Sequence, residues 1–397
     1  MKKLILSTIF TVVAGMLSAG DGMSLYPNGD KFLFSGYSPS SAMYEKLKGD
    51  GFTAVGPVYS DMQKFMAAAK KSGLPVFYNI NGPLGKKALE DKNVQLDPAA
   101  LGKAITDEVK AAVAAYSDDI YAWYLRPEEL RYWRKREFAY FTIATAAIRK
   151  ADPLKRPVLM YNPGHYNAGS LQKYLPHLTM MGKGTYTNHS GFKEQRIWVR
   201  HSMLLQQQAI TGAKVDIPFI AVLEMMRPPE KTDLPKIGTW VRHDVYCALV
   251  SGAKGIVIYS LWPRSGFRNF GHNEYYQAYK SCAAELTGKA DLGKVFLHGK
   301  EIPGITLNVT DGQKEIELTA HKTKVTYSTV NFKALEYNGK KYIFAVNSAN
   351  TPITCQLAGV PAKTHLQEID GKRTYSVDDK GATALTFAPL EVLILTY

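Results

Sequence analysis

Two stretches of the chain set carboxylates directly after uninterrupted apolar runs. The run 120–125 is followed at once by Arg126, Pro127, Glu128 and Glu129, and the run 217–223 ends on Glu224. Charged side chains are seldom drawn into apolar surroundings without a partner or a task. Two carboxyl groups that meet across a cleft can share acid–base work. One protonates a departing oxygen, and the other attacks the electrophilic carbon or activates a water. Local structure offers a second explanation for each. Glu128 and Glu129 also suit the first turn of a following helix, whose dipole favours negative charge. Glu224 is also placed to pair with Arg227.

Other chemistry finds little support. There is no His-Glu-x-x-His zinc motif, no Gly-x-Ser-x-Gly elbow and no phosphate-binding loop. The histidines are irregularly spaced. The three cysteines, Cys247, Cys282 and Cys355, are odd in number and far apart, which fits neither a disulfide framework nor a metal site. No cofactor is expected. Several polar and aromatic residues fall where the apolar runs end: Tyr37, Tyr59, Asn79, Tyr161, Asn162 and His165. Hydroxyls and amides of this kind suit a neutral, hydroxyl-rich ligand. Arg126, Lys183, Arg227 and Arg264, if they converge, suit a carboxylate or sulfate.

The elements that must position these groups follow from periodicity. Eight apolar runs cover 32–37, 52–59, 75–80, 120–125, 157–161, 178–184, 217–223 and 255–261. Continuous runs of this length fit strands buried on both faces of a parallel sheet. Amphipathic segments lie between them. Ser60, Asp61, Met62 and Gln63 read as a capping box, and Gly51, Gly73 and Gly252 as C-terminal helix caps. Eight strand–helix units over this length predict a (β/α)8 (TIM) barrel at 24–292, with its active site at the C-terminal ends of the strands. An open doubly wound sheet would carry a glycine-rich turn near its start, which is absent. From 293 to 397 the pattern changes to short alternating stretches. The turn signals Asp311-Gly312, Asn338-Gly339 and Asp370-Gly371 separate them, predicting a small C-terminal all-β sandwich.

With the carboxylates on strands four and seven, the chain resembles the large clan of TIM-barrel glycoside hydrolases that carry an acid/base glutamate on the fourth strand and a nucleophile glutamate on the seventh. The resemblance covers the barrel, about two-thirds of the chain, and names no single family. It implies a retaining hydrolase of an oligo- or polysaccharide. Glu128 takes the acid/base position, with Glu129 as its rival, and Glu224 takes the nucleophile position. Trp123 resembles an aromatic that precedes the acid/base in the clan. Tyr186 resembles the tyrosine that hydrogen-bonds the nucleophile, and Trp262 the tryptophan that floors the sugar site. Two positions depart from the clan: Pro127 stands where an asparagine is usual, and Gly56-Pro57-Val58-Tyr59 lacks the usual arginine. These departures keep open a barrel that binds a glycan without cleaving it; a different enzyme class on the same barrel, such as a polysaccharide lyase, is the other alternative.

The N-terminus is a separate module. Lys2 and Lys3 precede an uncharged, mostly apolar run at 4–14 and a small-residue exit near Ala19, the layout of a secretory signal peptide over 1–19. Export to the periplasm or the medium is expected, without stable membrane insertion. The formal charge is +14, and removing Lys2 and Lys3 leaves +12, so a polyanionic partner is favoured electrostatically. No nucleic-acid motif accompanies that charge. An acidic or sulfated glycan is the corresponding expectation.

Overall fold

Buried β-branched and aromatic residues set the architecture. In the computed structural model, residues 31–397 are described, apart from Ser60, Lys92, Arg268, Asn269 and His321. The expected leader at 1–19 lies outside the described residues. The barrel strands are Leu33–Gly36, Val76–Ile80, Ile120–Leu125, the split pair Val158–Leu159 and Tyr161–Asn162, Met181–Thr185, Phe219–Glu224 and Gly255–Tyr259. All pair in parallel, and the first pairs with the last.

The second run is the exception. Instead of a strand over 52–59 there is a single bridge, Val55 to Val76. The amides of Thr53 and Gly56 still donate to Phe34 and Gly36, and Phe77 donates to Val55, so the ring closes at eight positions. The ladder stops there for two reasons. Gly56 turns out at φ +108°, a region open mainly to glycine, and Pro57 has no N–H to give. The peptide bonds before Pro57 and Pro127 are both cis.

Helices surround the strands, and their ends carry recognisable chemistry. Pro98–Tyr116 begins with Asp97, whose carboxylate accepts from the amides of Ala99 and Ala100, and has proline in its first turn. Met62–Ser72 is capped by Asp61, which accepts from Gln63, and closes on Gly73 at φ +62°. Two apolar layers result. Leu33, Phe77, Tyr121, Tyr124, Leu159, Ile220, Val222 and Val257 fill the barrel interior. Ile120, Trp123, Leu125, Met181, Leu223 and Ile258 face the helices.

The last barrel helix, Leu292–His298, runs past the expected boundary, and the first strand of the β-domain is Lys300–Glu301. Beyond it, a six-stranded sheet and a three-stranded sheet form the sandwich, with a separate two-stranded hairpin of Glu315–Ala320 and Thr323–Ser328. Asn338 and Gly339, both at positive φ, turn one hairpin as expected. Asp311-Gly312 instead joins strands of different sheets. Ile343 and Ala345 face the sandwich core, whereas Phe344 and Val346 join the barrel's helix layer. The β-domain is therefore sealed onto the barrel by apolar side chains. No described helix is long and apolar enough to cross a membrane.

Candidate active site

Glu128 stands three residues beyond the fourth barrel strand, at the catalytic face of the barrel. Strand alternation turns Tyr124 inward, and its hydroxyl donates to a Glu128 oxygen. The Tyr59 hydroxyl lies 3.2 Å from both oxygens of the same carboxylate. Behind them Tyr37 donates to the Tyr124 hydroxyl at 3.3 Å. Burial pushes the Glu128 carboxyl above the usual range, against the two tyrosine hydroxyls and the Arg126 guanidinium, which favour the anion. A carboxyl held this way keeps its proton at higher pH than an exposed glutamate, as a general acid requires.

A cavity of about 440 Å³ opens over this group. Its wall includes Tyr59, Glu128, Glu129, Tyr161, His165, Tyr186, His189 and Tyr259. Tyr161, Tyr186 and Tyr259 cluster with mutual ring separations of 6.2, 5.3 and 6.4 Å. Glu129 adopts φ +58°, a left-handed backbone that costs a non-glycine residue of order 1 kcal/mol and tends to persist at functional sites. Two carboxylates, two imidazoles and an aromatic wall make a cleft that can bind a hydroxylated ring on its apolar face and transfer protons beside it.

Glu224 is not among the residues lining this cavity. It ends the seventh strand as expected, but its carboxylate accepts from the backbone amides of Asn188 at 2.6 Å, His189 at 3.1 Å and Arg227 at 3.3 Å. Its oxygens thus pin the loop after the sixth strand, the loop that delivers His189 and Ser190 to the cleft. The same loop is tied from behind. Arg196 donates to the Asn188 side chain and to both oxygens of Asp244, and Thr187 also donates to Asp244. His243 contacts Asp244 through Nδ1 at 2.9 Å and Ser348 of the β-domain through Nε2 at 3.0 Å. Burial pushes Asp244 up, but the Arg196 guanidinium and His243 win and hold it below the usual carboxylate range. An ionised Asp244 can only accept, so the His243 proton sits on Nδ1 and Nε2 accepts from the Ser348 hydroxyl. Burial holds that imidazole neutral by lowering its pKa.

Several residues expected in the cleft lie elsewhere. Trp123 faces the helices, and its indole donates to Asp152 at 2.8 Å. Asn79 is buried and donates to the Val58 carbonyl; Asn162 donates to the Met160 and Gly182 carbonyls. Trp262 stands out at the rim, 58% exposed, rather than flooring the cavity. Tyr186 lines the cavity and is not bonded to Glu224. The four candidate cations do not share one position: three arginines sit behind the cavity wall and Lys183 lies in the helix layer. Arg126 covers the Tyr59 ring at 4.7 Å and Arg264 the Tyr259 ring at 5.0 Å, while Arg227 reaches the Asn188 carbonyl at 3.4 Å. Lys183 shares the outward parity of Met181 and is buried against helix Trp198–Ala213, its Nζ 3.4 Å from the Ser202 hydroxyl.

That lysine supplies a prediction. Burial lowers its pKa to about 7. In the unfolded chain it stays protonated to about 10.4, so folding releases a proton between these values, and stability rises with pH across that window. Lys183→Met keeps the volume and removes the charge. It is expected to stabilise the protein at pH 6–7 by roughly 1–4 kcal/mol. Thermal melting from pH 6 to 10 would show the gap closing as pH rises; a variant that melts lower throughout would refute this account.

Sequence reasoning missed Tyr124, Tyr259, His189, Ser190 and Met226. Strict alternation from Ala122 would have turned Tyr124 inward, and Tyr259 is the last residue of the eighth strand. Nothing local marks the loop residues, because Glu224 and Asp244 bring them in from distant positions. Among the described residues, no group of three or more His, Cys, Asp or Glu side chains is arranged to hold a metal ion.

No family model matches the sequence, and no curated protein matches it. Solved structures do resemble it in three dimensions. An α-amylase from Geobacillus thermoleovorans, complexed with acarbose, aligns over 95% of both chains with 11% identity and a TM-score of 0.54. A noncanonic maltogenic α-amylase from Thermotoga neapolitana covers 93% of this chain and 98% of its own, at 12% identity and a TM-score of 0.53. A GH30 endoxylanase from Clostridium papyrosolvens covers 92% and 96%, at 14% identity and a TM-score of 0.50. At such identities the likeness is one of fold, and the chain is a (β/α)8 barrel carrying a C-terminal all-β domain.

Proposed function

We propose that this protein is a glycoside hydrolase acting on a neutral oligo- or polysaccharide, with Glu128 as its general acid. One observation carries the reading: a carboxyl pushed up by burial and held by two tyrosine hydroxyls, at the C-terminal end of a barrel strand, facing an aromatic cleft. Sugar rings stack on aromatic faces through their C–H surfaces, and the structural neighbours include an amylase with bound acarbose. Among the described residues, neither lysine nor arginine lines the cavity wall, which favours a neutral sugar over the acidic or sulfated one that the net charge recommends.

The chemistry needs a second carboxylate. Among the described residues Glu129 is the other carboxylate on the cavity wall, so we assign it that part, and Glu224 becomes the anchor of the loop bearing His189. Glu128 protonates the departing glycosidic oxygen. In a retaining course Glu129 attacks the anomeric carbon, and Glu128 then takes a proton from the incoming water. The anomeric configuration of the first product, read by NMR, reports whether the course is retaining.

The test is release of reducing sugar from a panel of neutral glycans with α and β linkages, followed against pH. Because the acid must be protonated, activity should persist above the ordinary carboxyl range and fall as pH rises through the raised pKa of Glu128. Tyr124→Phe removes a donor that favours the anion, so it should move this alkaline limb further up. A limb that moves down, or no sugar released from any glycan, would overturn the proposal.

A further inference from the structure

Large apolar side chains left in water are informative when they cluster. Among the described residues, five are exposed: Tyr59, Trp133, Leu154, Trp262 and Ile369. Three of the five belong to loops on the catalytic face, and two of those are tryptophans. Tyr59 lines the cavity itself. Trp133 follows the fourth barrel strand and is 56% exposed. Its ring packs 6.1 Å from Tyr166, which in turn lies 4.9 Å from His165 on the cavity wall. Trp262 follows the eighth strand, two residues before Arg264, whose guanidinium covers the cavity-lining Tyr259.

In a closed ring of eight positions, the fourth and eighth are opposite one another. The two tryptophans therefore follow opposite strands of the ring; Trp133 stands one aromatic layer outside the cavity wall, and Trp262 stands beside Arg264, which covers the wall residue Tyr259. Neither is needed to close the core: the barrel interior and the helix layer are filled by other residues. Indole faces kept in water at both ends of an aromatic cleft match a ligand longer than the cavity, with a repeating apolar face.

We propose that a polysaccharide chain binds across the whole mouth of the barrel, with Trp133 and Trp262 as outer stacking platforms on opposite sides of the cleft. The protein then works on internal segments of a polymer rather than on chain ends. This rests on the glycan-acting reading above and extends it to polymer length and mode of attack. Trp133 and Trp262 are binding residues here, with no part in the bond-breaking step.

The test uses the full chain carrying Glu128→Gln, run by affinity electrophoresis through gels containing soluble starch, arabinoxylan, mixed-linkage β-glucan or glucomannan. At least one polymer should retard it. On that polymer, Trp133→Ala and Trp262→Ala should each weaken retention by about tenfold. Trp133→Phe and Trp262→Phe should restore most of it, which a folding defect would not allow. Leu154→Ala, at an exposed apolar residue away from the mouth, should change nothing. With the unmodified protein, the viscosity of that polymer should fall before much reducing sugar accumulates. Equal retention by the alanine variants, retardation by none of the four polymers, or release confined to chain ends would overturn the inference. Cleavage of short oligosaccharides in those cases would leave the hydrolase reading intact. Tryptophan-dependent retention with no cleavage of any glycan would sink the hydrolase reading and keep the binding track.

Discussion

Glu128→Gln should lower kcat on an unactivated glycan by about 10²–10⁴-fold, the usual worth of a positioned acid, with KM changing far less. Glutamine keeps the shape, and its carbonyl still accepts from Tyr59 and Tyr124, but it has no proton to give the leaving oxygen. The loss should therefore depend on the leaving group. A dinitrophenyl glycoside, whose aglycone departs without protonation, should retain most of its kcat/KM in Glu128→Gln, while its kcat and KM fall together because the water in the second step loses its base. Glu129→Gln, by contrast, should lose activity on both substrates. Stability provides an independent check. The folded-state pKa of Glu128 is raised, so the native protein binds more protons than the unfolded chain between the ordinary glutamate value and the raised one. Stability falls as pH rises through that window, because the native state must bury the anion. Glu128→Gln should then melt no lower than wild type at pH 7. A variant that is inactive and also melts several degrees lower would indicate a structural role and remove the case for an acid. Equal losses of kcat/KM on the activated and unactivated substrates would remove it as well.

Asp244→Asn should produce the largest loss of stability, about 3–5 kcal/mol, because it strips the counter-charge from a guanidinium that stays buried. Arg196 and Asp244 are 3% and 4% exposed, and Thr187 and His243 bond to the same carboxylate. The physical reason is the asymmetry of buried pairs. Intact, their attraction roughly offsets their desolvation, whereas one partner alone keeps the penalty without the attraction. The effect should also reach the cleft. Arg196 holds the Asn188 side chain, and the Asn188 amide is one of the three that Glu224 accepts from. Denaturant unfolding at pH 7 reads the stability. The rate at a temperature where the variant is still folded reads the placement of His189 and Ser190, and it should fall at least severalfold. Unchanged unfolding would mean that the network adds nothing. Lower stability with an unchanged rate would confine it to holding the β-domain on the barrel.

Much of the architecture was legible in the chain. Apolar runs buried on both faces predict a parallel closed sheet, and their spacing predicts the helices between them. Glu128 and Glu129 were visible as carboxylates because they interrupt such a run. Failures occurred where one residue's backbone or parity overrode the pattern. The run at 52–59 looks like a strand but is stopped by Gly56 and Pro57. Lys183 sits in a strand with the right composition for the cleft, yet a period of two residues sends it to the helix layer. Resemblance alone places Trp123 at the cleft, whereas alternation turns it to the helix layer and sends Tyr124 inward.

Local pattern is enough to specify elements, because hydrophobic periodicity and turn chemistry act within a few residues of each other. It is enough to place Glu128 and Glu129 at the catalytic end of a barrel. Contacts between residues far apart in the chain carry no such local mark. The tyrosine pair holding Glu128 joins positions 59, 124 and 128; the anchor at Glu224 joins 188, 189 and 227; and the path from Ser348 to Asn188 crosses between domains. Which carboxylate faces the cleft and which is consumed by backbone amides depends on how loops pack on one another, and packing is a property of the folded whole.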